Sequence, residues 1–359
     1  MIKKDRVKID AESNLSSIRH RKQLKRKGRK YNPNKPLKKD HLFGKKVITA
    51  PNALTLYDGD TPYENTIKFI ESIKNHFGKE ECIIDFTKTT QFKAAAMLIV
   101  YAAFDNARKN GDYKSRILWS AKPAIKRAIK ESNLPKVITR QSIKYDFKNM
   151  KKLPIITGIG KQNMDDVVDH IQEKFYQDEM SATIEFRYGD AVSETINNVR
   201  LHAHPYKDDS EKRWWITSSV LNGQLFLAIY DRGVGIPKTV TTKAWLLSSI
   251  KAEFPAAYKE LTQLDPKDGI LKHIPSKLTD ARLIYLSMQE DISGTKIKKH
   301  GQGSKSIRAL VNETEDGVLW VFSNNGLYTI DNSKDKTPQM RSLPVKFPGT
   351  LIQWNIKIQ

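Results

Sequence analysis

The stretch that decides the fold of the C-terminal half is ETINNVRLHA, from Glu194 to Ala203. Apolar residues recur here at steps of three and four, which predicts a helix with one buried face made of Val192, Ile196, Val199 and Ala203. Glu194 and Asn198 are four residues apart, so they lie one above the other on a neighbouring stripe. A carboxylate can orient a water molecule, and an amide oxygen suits a hard cation such as Mg²⁺.

A second motif follows an apolar run at residues 225–230, which ends at Asp231 and continues through Gly233 and Gly235. The run predicts a buried strand that stops at a polar loop. The glycines allow backbone to come close to a flat ligand, and Asp231 supplies a hydrogen-bond acceptor at the strand end.

Two more motifs lie near the C-terminus. Gly301 and Gly303 lead directly into a helix pattern whose apolar positions are Ile307, Leu310 and Val311. The start of such a helix offers free backbone N–H groups to a phosphate. Thr350 follows a Pro-Gly loop and opens a final alternating strand.

In this order the four motifs resemble the GHKL ATPase superfamily, which includes gyrase and the histidine kinases and whose nucleotide site is the Bergerat fold. The resemblance covers roughly residues 180–359 and implies ATP and Mg²⁺ as cofactors. It implies that Asn198 is the Mg²⁺ ligand and that Glu194 is the general base that activates the attacking water.

The same resemblance gives roles to residues around the base. Asp231 is similar to the aspartate that receives the adenine amino group, with Gly233 and Gly235 in the same motif. Thr350 is similar to the threonine beside the adenine. His202 stands where many kinase-like members carry a histidine or an aromatic residue.

On the phosphate side, Gly301 and Gly303 resemble the second glycine motif of the family. Ser304 follows where the family usually has leucine, so the packing of that helix start departs from the pattern. Gyrase-like enzymes also send a lysine to the γ-phosphate. Lys299 is the candidate for this lysine, and the other candidates are Lys296, Lys298 and Lys305. The alternative is that these lysines form a solvated basic face.

A long lid insertion, residues 238–300, separates the two glycine motifs. Helical patterns at 244–264 and 277–289 predict that it is structured and not a loose loop. Upstream, residues 136–163 are expected to be a connector that adds an edge strand near 153–157 and breaks at its glycines. A helix from Met164 then opens the nucleotide-binding domain, 164–359.

Residues 47–135 alternate between strand and helix patterns, which predicts a sheet covered by helices. The order of elements resembles the STAS domain of anti-sigma factor antagonists, so the whole chain is expected to be α/β (α+β), with this domain before an α/β sandwich. The antagonists carry a phosphorylated serine where this chain has Ala94 and Ala95, which leaves only Thr89 or Thr90 for that role. We expect a scaffold or a module that binds a protein partner.

Trp214 and Trp215 open another strand pattern, so their indoles are expected on opposite faces of a sheet. The outer indole could stack on a base or a partner, or belong to the core.

The net charge of +22 is concentrated at the N-terminus, where residues 1–46 hold 17 Lys or Arg and four Asp or Glu. Such a block repels itself and has little apolar surface to bury, so we expect a disordered arm. It suits DNA or RNA; a solubilising tail or a contact with an acidic protein remains the alternative.

Composition indicates a globular protein, since 39% of its 359 residues are hydrophobic. We expect it to be cytoplasmic, without contact to a membrane, because it has no long apolar run, no signal-peptide pattern and one cysteine, Cys82.

Three functions stay open at this point. The first is an ATP-hydrolysing switch that acts on nucleic acid and dimerises with ATP. The second is an anti-sigma-type serine/threonine kinase, and the third is a nucleotide-binding signalling module with little turnover.

Overall fold

A computed structural model describes residues 14–23, 40–149, 153–173, 182–208, 211–221, 223–263, 270–289, 302–312, 314, 316–334 and 337–357. The chain divides into two compact units. The first comprises Met1–Thr55, Lys68–Phe92 and Val100–Ile143, and the second comprises Leu56–Ile67, Lys93–Ile99 and Lys144–Gln359. Both units combine helices with a sheet, as the mixed α/β composition of the sequence predicts.

Six strands belong to the first unit: β1 (His41–Leu42), β2 (Lys45–Thr49), β3 (Ala53–Leu54), β4 (Cys82–Asp85), β5 (Gln91–Phe92) and β6 (Arg116–Leu118). The main sheet has the order β1-β2-β4-β6. Its three longer strands are parallel, while β1 runs antiparallel to β2. β3 and β5 form a separate parallel pair.

The helices of the N-terminal half are α1 (residues 14–23), α2 (Asp60–His76), α3 (Ala94–Ala107), α4 (Pro123–Glu131) and α5 (Leu134–Ile138). Alternating strands and helices were the prediction for residues 47–135, and that alternation is confirmed. α3 is buried along almost its whole length, which explains its run of alanine and large apolar residues.

Three predictions for this half need adjustment. The sheet begins at β1, so ordered structure starts before residue 47, and residues 14–23 of the expected disordered arm are helical. The first turns of α2 and α3 fall within the second unit, whereas the sequence placed all of 47–135 in one domain. Cys82 is a buried thiol, as expected, and burial raises its pKa to about 11.

The second unit contains a five-stranded sheet with the order β10-β11-β9-β8-β7. The strands are β7 (Ile156–Ile159), β8 (Arg213–Leu221), β9 (Gln224–Asp231), β10 (Val318–Asp331) and β11 (Gln339–Lys357), and all neighbours are antiparallel. β7 is the predicted edge strand. A break was expected at Gly158, but the strand runs through it. The glycine is needed there because the Trp214 ring occupies the space where a Cβ would lie.

One face of this sheet is covered by helices. They include α6 (Met164–Ile171), α7 (Ala182–Asn198) with a π-helical turn at Val199–Ala203, and α13 (Gln302–Asn312). The predicted apolar face of α7 is confirmed, since Val192, Ile196, Val199 and Ala203 all join this core. Ile307 of α13 joins the same core.

The opposite face of the sheet is also apolar. Trp215 packs on Tyr230, and Tyr230 packs on Phe347. Trp214 and Trp215 therefore lie on opposite faces, as predicted, but both are buried, at 0% and 1% exposure. The alternative that the outer indole stacks on a base or a partner is wrong, because both faces of the sheet are covered.

Between β9 and α13 the described chain is helical, as expected for a structured insertion. It contains α8 (Ile236–Val240), α9 (Leu246–Glu253), α10 (Pro255–Thr262), α11 (Ile270–Lys277) and α12 (Asp280–Met288). The predicted helix 244–264 is two helices, because Pro255 holds Phe254 outside the helical region of backbone conformation. Buried side chains from α8 to α12 form a small core of their own. Among the described helices, none has both the length and the apolar character needed to cross a bilayer.

Candidate functional site

Three polar residues form a row across the middle of the second sheet. Thr350 of β11 pairs with Asp231 of β9 on one side and with Ser323 of β10 on the other. Residues two positions away on each strand, Ile229 and Ile352, belong to the helix-covered core. Because side chains alternate along a strand, all three polar residues face the helices.

Asp231 ends its strand as a buried carboxylate, 5% exposed. Its Oδ1 accepts the N–H of Gly233 at 2.6 Å. Burial raises the pKa of Asp231 to about 7, and the hydrogen bond from Gly233 opposes part of that rise. No residue that the structure describes donates a hydrogen bond to Oδ2, so this oxygen is available to a ligand donor.

Ser323 connects the row to the loops around it. Its hydroxyl lies 3.1 Å from that of Thr350 and donates to the Gly349 carbonyl at 3.3 Å. It also accepts the N–H of Ile236, the first residue of α8, at 2.9 Å. Ser323 was not among the predicted site residues, although a serine inside the apolar run of β10 is a signal of a polar site.

The glycines of the site bring backbone segments together. A Cβ on Gly233 would lie 2.3 Å from the Ala203 carbonyl oxygen, and one on Gly349 would lie 2.0 Å from the Asp231 carbonyl oxygen. Gly235 has φ +91°, in the region that favours glycine. The close approach at Gly233 is therefore to protein backbone, which requires glycine there for a reason separate from any ligand.

The loop after Asp231 meets the π-helical turn that continues α7. The Val234 N–H donates to the Ala203 carbonyl at 2.8 Å, and Ala203 ends the π-helical turn that continues α7. Asn198 is the last residue before that turn. The fold thus brings the predicted Mg²⁺ ligand and the predicted adenine acceptor towards one junction on the helix-covered face.

Glu194 and Asn198 are both half-buried on α7. Burial raises the pKa of Glu194, and the nearby charge of Asp190 raises it further. Asp190 precedes Glu194 by one helical turn, so the three residues form a single polar stripe. Asp190 was not among the predicted site residues, although its four-residue spacing from Glu194 places it on the same stripe of the helix.

The stripe contacts α13 through a hydrogen bond from the Ser306 hydroxyl to Asp190 Oδ2. α13 begins at Gln302, so the predicted helix is confirmed, with Gly303 inside its first turn. The Trp354 indole N–H donates to the Ile307 carbonyl at 2.9 Å and fixes α13 to β11. These two contacts hold α13 beside α7.

The remaining predicted residues fall into two groups. Gly303 and Ser304 lie in the first turn of α13, and His202 is half-buried in the π-helical turn. Gly301 and Lys299 lie outside the described residues, as do Lys296 and Lys298.

Comparison with known proteins finds no match: neither a protein-family model nor a curated protein sequence is similar to this chain. The function of this chain is therefore inferred from the residues of the site.

Proposed function

We propose that the second unit binds Mg-ATP on the helix-covered face of its sheet and hydrolyses it. The proposal places this unit with the GHKL ATPases, because its four sequence motifs resemble theirs in the same order. The observation that carries it is the Asp231 carboxylate, buried opposite Thr350, with one oxygen held by the loop backbone and the other without a donor among the described residues.

This arrangement fits an adenine ring. Burial raises the pKa of the Asp231 carboxyl although the Gly233 N–H donates to one of its oxygens, and an exocyclic amino group would supply a second donor. The Thr350 hydroxyl, in the same row, adds a second polar contact within an apolar surrounding. An acceptor next to a hydroxyl distinguishes adenine from guanine, whose carbonyl would face the carboxylate.

Asn198 and Glu194 supply the chemistry on the phosphate side. Asn198 would hold Mg²⁺, which when bound neutralises charge on the transferred phosphoryl group. Glu194 orients a water molecule and accepts its proton as the water oxygen bonds to the γ-phosphorus and the bond to ADP breaks. The burial that raises the pKa of Glu194 makes it a stronger base than an exposed glutamate.

For the first unit we propose a STAS-like scaffold that binds a protein partner. The Thr89 hydroxyl is buried and donates to the Pro51 carbonyl at 3.0 Å, which disfavours its use as a phosphate acceptor. The basic residues 1–46 are proposed to bind DNA or RNA in the cytoplasm. A deletion that tests them should stop at residue 39, because a longer one would remove strand residues of β1 and β2.

The test follows γ-labelled ATP in the wild type, in Glu194→Gln and in Glu173→Gln, a matched loss of an exposed carboxylate just after α6. We expect free phosphate from the wild type and from the control, and a loss of roughly 10²- to 10⁴-fold in Glu194→Gln with ATP still bound. Equal release from all three proteins would reject Glu194 as the base. Label transferred to an added protein would replace hydrolysis with a kinase reaction.

A further inference from the structure

The first unit carries a basic and aromatic surface at the end of its edge strand β6. Trp119 follows β6 directly and is partly exposed. The ammonium groups of Lys126 and Lys130, one turn apart on α4, lie 5.9 Å and 5.8 Å from the centre of its ring. We call these residues, together with Lys122, the Trp119 surface.

The charge pattern of α4 is unfavourable for the isolated helix. Lys122, Lys126 and Lys130 follow at steps of four, so each pair of neighbours on this stripe repels. α4 has no acidic residue in its first turn, and Lys122 places a cation at the positive end of the helix dipole. Glu131, the one acidic residue of α4, stands at its last position.

No acidic side chain in the described part of the chain compensates these lysines. All three are exposed, and none forms an ion pair with a residue in the described part of the chain. Three like charges along about 12 Å of helix surface raise the local positive potential. A polyanion that neutralised them would remove the repulsion.

The loop that carries Trp119 is fixed in place. The Ser120 hydroxyl donates to the Thr89 carbonyl at 2.7 Å and accepts the Lys122 N–H at 3.1 Å. This ties the loop after β6 to the loop after β4, so the surface lies where the parallel strands end. That edge is where open sheets of this kind bind ligands.

We propose that the Trp119 surface binds single-stranded nucleic acid, with one base stacked on the indole and backbone phosphates along the lysine stripe. A partly exposed aromatic ring beside cations is the arrangement that single strands use, since every base has a face that stacks. A duplex keeps its bases stacked on each other and could use only the lysines. The proposal is independent of ATP binding and of the N-terminal arm.

The test uses the full chain and a labelled oligothymidylate, with binding followed by fluorescence anisotropy across salt concentrations. Lys126→Gln/Lys130→Gln is compared with Lys74→Gln/Lys79→Gln, which removes two exposed charges from the α2 region of the same half. We expect the dependence of log affinity on log salt to become shallower by about 1.4 in the first variant, from about 0.7 per phosphate contact. In the control variant, the slope of log affinity against log salt should change much less.

Stacking is tested at the ring itself. Trp119→Leu should weaken binding by roughly 5- to 100-fold, while Trp119→Phe should retain most of the affinity. All variants keep the arm, so differences among them report on this surface alone, and matched thermal melts check that each is folded. Equal losses in both lysine pairs, no loss in Trp119→Leu, or an equal loss of duplex binding in Trp119→Leu would each overturn the proposal.

Discussion

Asp231 of β9 lies directly opposite Thr350 of β11, although 119 positions separate them in the chain. The register that pairs them is held by core residues on both strands, among them Ile229 opposite Ile352. A slip of one residue would turn either side chain to the other face of the sheet. Packing of the hydrophobic core therefore determines the polar geometry of the site.

Asp231→Asn should remove most of the affinity for ATP. The amide would present an N–H group or a weaker acceptor to the adenine amino group, and a hydrogen bond to a charged group is worth about 1.5–3 kcal/mol. We expect roughly a 10- to 100-fold loss by isothermal titration calorimetry. Thr350→Ser, which keeps the hydroxyl, is the matched control and should bind within a few-fold of the wild type. Unchanged binding in Asp231→Asn would remove the basis for the adenine site.

The same carboxylate should make stability depend on pH. In the folded protein the pKa of Asp231 is raised from 3.8 to about 7, so the folded state keeps a proton that the unfolded state has released. Between these values the unfolded state binds fewer protons, and the free energy of unfolding falls as pH rises. The fall attributable to Asp231 is on the order of 4 kcal/mol across the window.

Urea unfolding of the wild type and of Asp231→Asn, measured at several pH values between 4 and 7, isolates this effect from other titrating groups. The variant should lose the descending part of the curve and gain stability relative to the wild type as pH approaches 7. Parallel curves for the two proteins would contradict a raised pKa at Asp231.

Asp190→Asn should shift the pH dependence of hydrolysis. The charge of Asp190 contributes to the raised pKa of Glu194, after burial. A base works only when deprotonated, so the rate falls as pH drops through that pKa. Removing the charge at Asp190 lowers the pKa, and the acidic limb of the rate profile should move to lower pH.

Ser306→Ala provides the control for this variant, because it breaks the hydrogen bond to Asp190 and leaves the charge in place. If both substitutions moved the profile equally, the effect would come from the position of α13 and not from the charge.

Local sequence patterns predicted those helices and strands whose structure depends mainly on their own residues. The buried face of α7 follows from its apolar spacing, and the end of β9 at Asp231 follows from an apolar run stopped by glycines. The split at Pro255 was equally local. Proline disfavours helical backbone at the residue before it, so the helix end at Phe254 could have been predicted from the sequence.

Other features depend on contacts between distant segments, which periodicity does not encode. Gly158 continues a strand because Trp214 covers it, and Ser323 joins the site only through strand pairing. The assignment of the first turns of α2 and α3 to the second unit is of the same kind. Glu194 and Asn198 could be proposed from spacing, whereas the link from Asp190 to Ser306 required the packing of α7 against α13.

Asn198→Ala should make ATP affinity insensitive to Mg²⁺. The substitution removes the amide oxygen proposed as the cation ligand and leaves the Asp231 row intact. Titrations of ATP with Mg²⁺ and with EDTA should differ in the wild type and coincide in the variant. Asn198→Asp keeps an oxygen ligand and should restore a Mg²⁺ effect. A Mg²⁺ effect that persists in Asn198→Ala would exclude this residue as a ligand.

Gly349→Ala should destabilise the second unit through a clash beside Asp231. Gly349 has φ +113°, and a Cβ there would lie 2.0 Å from the Asp231 carbonyl oxygen. Gly59 has φ +102° but open space around it, so Gly59→Ala carries the cost of the backbone conformation alone. We expect Gly59→Ala to lower the free energy of unfolding by about 1–2 kcal/mol. Gly349→Ala should lower it further by about 1–3 kcal/mol, because β9 and β11 must separate where they carry Asp231 and Thr350. Urea unfolding of both variants measures the difference, and equal losses would show that the sheet accommodates the added methyl group without moving the site.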